Sequence, residues 1–378
     1  MRHKCYGMML AVCMLCLGAV SQEQPVSSDA PLEFILHLVQ DSFSIYRYDR
    51  GDREIVFKKE PAYAGSKVSR HALCLDKEKS TFIGVACDFA ADALYIDRNQ
   101  NLDLTDDGPC ITTRVHGGGE DPVFENVIIE LIHGNIPVQY TMRMYFYSDN
   151  YFYAYVHSGW QADIELAGKA CKISVADNFD GVLDSDDSFL FDHERNREAR
   201  RGLGSVDQLS LPQWIYFEGQ SYRVDCAFRI ADNDTMVAAT FTPITEDLMD
   251  ISFEGQYVSR IIVRDQFAET CGILDWPRSE MRIPTGTHKI SQVDLLDSFS
   301  GGSNIRRPLT PEGITHIKTG GPLSQEVSVA RSGSRLELNY SLNGIDGTSY
   351  SPDDYKNGAK FAVYKGNHKI ASGNFEYG

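Results

Sequence analysis

Short alternating runs of apolar and polar residues are the feature that most restricts the fold of this chain. They recur throughout the sequence, as in residues 336–342, and are separated by Gly, Asn, Asp and Pro. Alternation sends successive side chains to opposite faces of a strand, which suits an antiparallel sheet with one buried face. The best helix candidate, after Asp192, has no apolar stripe. We therefore predict a mainly β, multidomain protein of antiparallel β-sandwiches with little helix.

Length and turn signals predict three β regions. The chain has 378 residues, whereas one domain usually has ~100 to 200. We assign residues 30–115 to an N-terminal β region that ends in an acidic loop, residues 120–245 to a β domain with a second acidic loop, and residues 250–378 to a C-terminal β-sandwich. In the second region, apolar runs 127–132 and 136–147 flank a His-Gly-Asn turn, which indicates a hairpin.

The first 21 residues have the organisation of a secretory signal peptide. A basic start at residues 2–4 precedes an apolar run at 6–17, and Ala-Val-Ser at 19–21 suits a cleavage site. The apolar run is shorter than the roughly 20 residues of a membrane-spanning helix. An acylated lipoprotein cysteine, Cys13 or Cys16, is the alternative. We predict a signal peptide over residues 1–21, a secreted or periplasmic location, and no transmembrane segment.

The formal charge of −17 restricts the partners of the protein. Nucleic acids and anionic membranes bind basic patches, so neither is expected as a partner. A glycan or a cell-surface protein remains, and the acidic balance suits solubility and, to a smaller extent, cation binding.

Six cysteines follow the leader, and none lies in a Cys-x-x-Cys pair. They are Cys74, Cys87, Cys110, Cys171, Cys226 and Cys271. An even number of cysteines in an oxidising compartment permits disulfides, but a chain of this size does not depend on them. Both disulfides and buried free thiols therefore remain open.

Residues 97–108, with the sequence DRNQNLDLTDDG, carry the first of two acidic loops. They resemble the calcium loop of EF-hands and dockerins, which supplies oxygen ligands from positions 1, 3, 5, 7, 9 and 12 and has glycine at position 6. Leu102 stands at the glycine position, Gly108 stands at position 12, and Asp106 or Asp107 must replace the missing acid. The resemblance implies calcium ligands at Asp97, Asn99, Asn101, Asp103 (carbonyl), Thr105 and Asp107.

Residues 176–187, with the sequence ADNFDGVLDSDD, resemble the same loop with a different defect. Gly181 supplies the turn, but Ala176 has no side-chain oxygen at position 1, so Asp177 or a water must serve there. The ligands implied by this resemblance are Asp177, Asn178, Asp180, Val182 (carbonyl), Asp184 and Asp187.

Strand-like runs, residues 94–96 and 172–175, precede the two loops. A calcium sensor needs a pair of helices whose angle changes, so we expect fixed, structural ions, with affinities on the order of 10⁻⁴ to 10⁻³ M as in extracellular modules. The alternative is that Asn, Asp and Gly form polar turns without an ion.

Five tyrosines share one face of the hairpin predicted around residues 148–150, because residues of equal parity point to the same side. They are Tyr145, Tyr147, Tyr151, Tyr153 and Tyr155. Aromatic pairs across strands stabilise a sheet. The functional alternative is a flat platform on which a sugar stacks.

The C-terminal third resembles immunoglobulin-like or transthyretin-like sandwiches, through the Pro-Thr-Gly turn in residues 282–290 and a closing run at 373–378. The whole chain resembles secreted bacterial β proteins with acidic loops between strands. No serine-elbow, zinc-hydrolase or phosphate-loop motif is present. We expect an exported calcium-binding β protein with a binding or cell-surface role, and no motif in the sequence supports an enzyme. A secreted carbohydrate-active hydrolase and an assembly partner that uses exposed sheet edges are the alternatives.

Overall fold

The computed structural model describes most of the chain beyond the predicted leader. The described residues are 30–49, 55–75, 80–116, 121–133, 135–147, 151–195, 209–231, 234–265, 270–296, 299–302, 308–313, 315–333, 335–352 and 360–374. The predicted signal peptide lies outside these ranges.

Strands dominate the described residues. In the first part of the chain they are β1 (Leu32–Asp49), β2 (Val68–Cys74), β3 (Phe82–Asp88), β4 (Ala93–Ile96), β5 (Ile111–Thr112), β6 (Val115–His116), β7 (Pro122–His133), β8 (Ile136–Phe146), β9 (Phe152–Leu166), β10 (Lys169–Ala176), β11 (Ser188–His193), β12 (Leu209–Ser210), β13 (Trp214–Phe217) and β14 (Gln220–Ala231). In the second part they are β15 (Asp234–Pro243), β16 (Leu248–Glu254), β17 (Val258–Asp265), β18 (Cys271–Asp275), β19 (Glu280–Pro284), β20 (His288–Leu295), β21 (Phe299–Gly301), β22 (His316–Lys318), β23 (Ser324–Ser332), β24 (Arg335–Asn343), β25 (Ser349–Pro352), β26 (Lys360–Lys365) and β27 (His368–Asn374). The prediction of a mainly β fold with several antiparallel sheets is confirmed.

Two sheets from the first part of the chain pack face to face as a sandwich. Strands β2, β3, β4 and β5 form one antiparallel sheet, and β7, β8 and β9 form an antiparallel meander. His71 of β2 stacks on Phe152 of β9 with ring centroids 5.3 Å apart. Val85, Leu94 and the inward residues of β8 and β9 belong to one core cluster, because alternate residues of each strand face the opposing sheet.

Strand β1 joins two sheets. Its residues 32–36 pair with β15, and its later residues pair with β9. Strand β9 also pairs with β8 through its first half and with β10 through its second half. The connection from β10 to β11, which contains the second acidic loop, therefore starts within this central sheet.

A second core cluster lies towards the C terminus and includes Ile251, Val263, Ile283, Val293 and Ile317. Strand β16 lies between β19, which is antiparallel to it, and β22, which is parallel to it. Strands β13 and β18 also pair in parallel. The three-region division remains a prediction. The six cysteines beyond the leader are free thiols.

Candidate metal centre

The first loop begins where β4 ends and wraps around the carboxylate of Asp97, which is fully buried. Asp97 Oδ1 accepts the backbone N–H of Asn101 at 3.0 Å, and Oδ2 accepts the N–H of Leu102 at 3.0 Å. Gln100 and Leu102 have φ angles of 59° and 67°. Leu102 thus adopts the left-handed conformation for which the EF-hand loop uses glycine, at an energetic cost that glycine avoids.

Alternate side chains in this loop each accept a backbone N–H from two residues ahead. Asn99 Oδ1 accepts from Asn101 at 3.1 Å, Asn101 Oδ1 from Asp103 at 2.6 Å, and Asp103 Oδ1 from Thr105 at 2.9 Å. Such Asx turns force the chain into a tight spiral. The alternate positions predicted as ligands therefore each begin one of the consecutive turns of the loop.

Asp107 closes the first loop. Its Oδ1 accepts the backbone N–H groups of Arg98 at 2.9 Å and Asn99 at 3.2 Å. Its Oδ2 is buried and, within the described chain, has no hydrogen-bond partner. Asp106 is exposed and accepts hydrogen bonds from the side-chain amides of Asn99 and Asn101. Asp106 and Asp107 could each supply the ligand that is missing at position 12, and of these two Asp107 has a buried oxygen.

The first loop is fixed to its sheet by an apolar residue and two lysines. Leu104 is buried in a small cluster with Ile55 and Phe57. Lys58 Nζ donates to the carbonyl of Asn101 at 2.9 Å, and Lys59 Nζ lies 3.5 Å from Asp103 Oδ2. These lysines partly offset the negative charge of the loop.

The second loop begins at Asp177, directly after β10, and this carboxylate is buried among apolar groups. Its Oδ2 accepts hydrogen bonds from the hydroxyl of Tyr140 and from the N–H of Phe179, the latter at 3.0 Å. Its Oδ1 is buried and lacks a hydrogen-bond partner among the described residues. Burial raises the pKa of Asp177 to about 6.

Asp187 closes the second loop and is also buried. Its Oδ1 accepts the N–H of Asn178 at 2.8 Å, and its Oδ2 accepts the N–H of Asp184 at 2.6 Å. Burial, followed by the negative charge of Asp177, raises the pKa of Asp187 to about 8. Two buried carboxylates thus repel each other within one loop.

The hydrogen bonds align the two loops with each other. In both, the residue after the first acid donates its N–H to the closing acid, Asp107 or Asp187. Asp177 therefore takes the place of Asp97. Ala176, which the sequence register put at position 1, is instead the last residue of β10 and is fully buried.

The remaining predicted ligands of the second loop lie near its exposed side. Asp180 Oδ1 accepts the N–H of Val182 at 2.9 Å, and Asp184 Oδ1 accepts the N–H of Asp186 at 2.8 Å. Gly181 has a φ of 75°, and a Cβ atom there would lie 2.1 Å from Cγ of His133. Only glycine fits this turn.

Both loops rest against the hairpin formed by β7 and β8. Arg98 Nη1 in the first loop donates to the carbonyl of Ile128 at 2.9 Å. At the end of β7, His133 Nε2 lies 3.1 Å from the hydroxyl of Tyr140, which in turn donates to Asp177. Sequence reasoning did not identify Tyr140 or His133, because each is distant in sequence from the loop that it contacts.

Among the described residues, no group of three or more His, Cys, Asp or Glu side chains is arranged to hold a metal ion by itself. An ion in either loop would therefore need backbone carbonyl, Asn or Thr oxygens, or water, besides the carboxylates. EF-hand loops use these ligands as well.

Three of the five tyrosines, Tyr145, Tyr153 and Tyr155, lie on the outer face of β8 and β9. Tyr147 directly follows β8, and Tyr151 directly precedes β9. Tyr145 and Tyr155 pack edge to face with centroids 5.4 Å apart, as do Tyr147 and Tyr153 at 5.3 Å. Tyr151 is 41% exposed and the other four are partly exposed. The opposite face of these strands is buried in the core.

Arg143 adds charge to the tyrosine face. Its guanidinium lies 4.9 Å from the centre of the Tyr145 ring and 3.0 Å from Glu125 Oε1. The tyrosine face is therefore amphipathic: its aromatic rings are apolar, whereas the tyrosine hydroxyls and the Arg143–Glu125 ion pair are polar.

No helix in the described part of the chain has the length and apolar character needed to cross a bilayer. Comparison with known proteins found no matching family model, no similar curated protein and no similar solved structure.

Proposed function

We propose that this protein is an exported β protein that binds one structural calcium ion in each acidic loop. The observation that carries the proposal is a buried carboxylate oxygen without a hydrogen-bond partner in each loop, Oδ2 of Asp107 and Oδ1 of Asp177. A buried anionic oxygen without a partner destabilises the folded state by several kcal/mol unless a cation or donor satisfies it. A cation in each loop would remove that penalty.

Calcium fits the available ligands better than other common ions. Neither loop contains His or Cys, the ligands that favour zinc. Calcium accepts six to eight oxygens in flexible geometry, whereas magnesium demands a near-ideal octahedron. In the first loop the ligands would be Asp97, Asn99, Asn101, the Asp103 carbonyl, Thr105 and Asp107. In the second they would be Asp177, Asn178, Asp180, the Val182 carbonyl, Asp184 and Asp187.

The proposed role is structural because each loop connects strands and not helices. The first loop joins β4 to β5, the second joins β10 to β11, and both contact the β7–β8 hairpin. An ion in the first loop would hold the sheet of β2 to β5 against this hairpin, and an ion in the second loop would fix the end of β10 beside the same hairpin.

A calcium titration followed by thermal and urea unfolding tests the proposal. Free calcium at 100 times the dissociation constant should stabilise the folded state by about 2.7 kcal/mol for each occupied site. Asp107→Asn and Asp177→Asn should each remove one site from the binding isotherm. Glu337→Gln, an exposed acid on β24 distant from both loops in sequence, is the control and should bind both ions. Wild-type unfolding that is identical in calcium and in chelator would refute the proposal.

A second candidate function is binding of a neutral carbohydrate on the tyrosine face. The supporting observation is that partly exposed aromatic rings lie beside the Arg143–Glu125 ion pair, so the face offers both stacking surfaces and hydrogen-bonding groups. Tyr147→Ala and Tyr153→Ala should weaken retention on immobilised glycans. A lower melting temperature with unchanged glycan binding would leave these tyrosines only a packing role.

A further inference from the structure

A serine, a histidine and a glutamate are aligned on the exposed face of the sheet formed by β19, β16 and β22. Ser252 Oγ lies 2.8 Å from His316 Nδ1. The other ring nitrogen, Nε2, lies 3.6 Å from Glu254 Oε2, an ion-pair distance. Nucleophile, base and carboxylate thus follow one another in the order used by hydrolases that form an acyl-serine.

The strand register sets this order. Strands β16 and β22 are parallel, Ser252 is paired with His316, and Glu254 is paired with Lys318. Residues two apart on a strand share a face, so Ser252 and Glu254 both point outward while Ile251 and Ile317 are buried beneath them.

Ser252 also borders an open cleft of about 690 Å³. Tyr216, Arg278, Arg282 and Thr315 line the same cleft. Arg278 Nη2 contacts Glu218 at 2.8 Å, and Arg282 Nε lies 3.6 Å from Asp250. A small substrate could therefore reach the serine oxygen beside two guanidinium groups.

We propose that Ser252, His316 and Glu254 form a catalytic site that hydrolyses small carboxylic esters, a function separate from the calcium loops. Ser252 Oγ attacks the ester carbonyl carbon, and its proton passes to His316 Nδ1. The tetrahedral intermediate expels the alcohol, which takes that proton. Water then attacks the acyl-serine with His316 again as base, releasing the carboxylic acid and restoring the serine hydroxyl.

Glu254 and the arginines supply the electrostatic part of this mechanism. A hydrogen bond from Lys318 Nζ and its positive charge lower the pKa of Glu254, so this group remains anionic and can stabilise a protonated His316. The backbone N–H of Ser252 donates to the carbonyl of Thr315 at 2.8 Å and is therefore not free for the oxyanion. The oxyanion would instead lie near Arg278 or Arg282, the cationic side chains of the cleft.

Two measurements on the full chain test the proposal: labelling by a fluorophosphonate, with the labelled peptide identified by mass, and hydrolysis of p-nitrophenyl acetate. Wild type should be labelled at Ser252. Ser252→Ala should lose both the label and the hydrolysis, and His316→Ala should lower kcat/KM by about 100-fold or more, the usual effect of losing a general base. Glu254→Gln should lower kcat/KM by less than His316→Ala does, because Glu254 acts only by stabilising the protonated His316.

Ser328→Ala, which alters an exposed serine on β23, is the matched control and should keep the wild-type label and rate. Melting temperatures close to wild type for all variants exclude unfolding as the cause, because all three site residues are exposed. Absence of a label on wild-type Ser252, or hydrolysis by Ser252→Ala at the wild-type rate, would overturn the proposal.

Discussion

The hydroxyl of Tyr140 is the most informative single group to remove. Tyr140 is fully buried, donates to Asp177 Oδ2, and lies 3.1 Å from His133 Nε2. Tyr140→Phe keeps the ring in the core and deletes the hydrogen bond to Asp177 together with the contact to His133. A hydrogen bond to a charged group contributes about 1.5 to 3 kcal/mol, so the free energy of unfolding in saturating calcium should fall by about 2 kcal/mol.

The same substitution should weaken calcium binding at the second loop. Tyr140 occupies Oδ2 of Asp177, which leaves Oδ1 as the oxygen available to an ion. Loss of a group that orients a metal ligand usually lowers affinity by about 10- to 100-fold. Isothermal titration calorimetry should show one weakened site and one unchanged site, because the first loop does not contact Tyr140 through any described hydrogen bond.

Tyr350→Phe is the matched control. Tyr350 is also buried, and its hydroxyl lies 3.1 Å from both Thr319 Oγ1 and the N–H of Gly320, within the second core cluster. This variant should lose stability without a change in calcium affinity. If Tyr140→Phe and Tyr350→Phe lose stability equally and both bind calcium as wild type does, the reasoning about Asp177 is refuted.

Three further predictions concern pH, the second turn and a buried ion cluster. The folded-state pKa values of Asp177 and Asp187, about 6 and about 8, lie above the ordinary value of 3.8. The folded state therefore binds these protons more tightly than the unfolded state, and calcium-free protein should lose stability as the pH rises from 4 to 8, by about 1.4 kcal/mol for each tenfold difference in proton affinity. Urea midpoints that rise with pH in chelator would contradict this. Gly181→Ala should lower the free energy of unfolding in urea by more than 1 kcal/mol. The left-handed backbone alone costs an alanine about 1 kcal/mol, and the added Cβ would also clash with His133. A variant as stable as wild type would contradict the turn geometry. Asp275→Ala should lower the free energy of unfolding by about 3 to 5 kcal/mol because Arg260 and His193 are buried against this carboxylate; a loss below 1 kcal/mol would contradict this.

The sequence predicted the local part of the fold well. Alternation predicted strands because each residue's face depends only on its own strand. The predicted pairing of β8 with β9 is present, and the N–H of Tyr147 donates to the carbonyl of Tyr151 at 2.8 Å. Asx turns at Asn99 and Asn101 were also predictable, since each bond spans two residues.

Contacts between distant segments could not be predicted from spacing. Tyr140 and Asp177 are 37 residues apart, and Ser252 and His316 are 64 apart. Both pairs depend on strand register, which tertiary packing determines. The parallel pairing of β16 with β22 was missed for the same reason.

Strand β1 couples the unfolding of the two sheets that it joins. The first residues of β1 are hydrogen-bonded to β15 and its later residues to β9. If β1 detached, both β15 and β9 would lose a neighbouring strand. Separation of the two sheets and loss of β1 are therefore one event, and heat should melt both sheets at the same temperature.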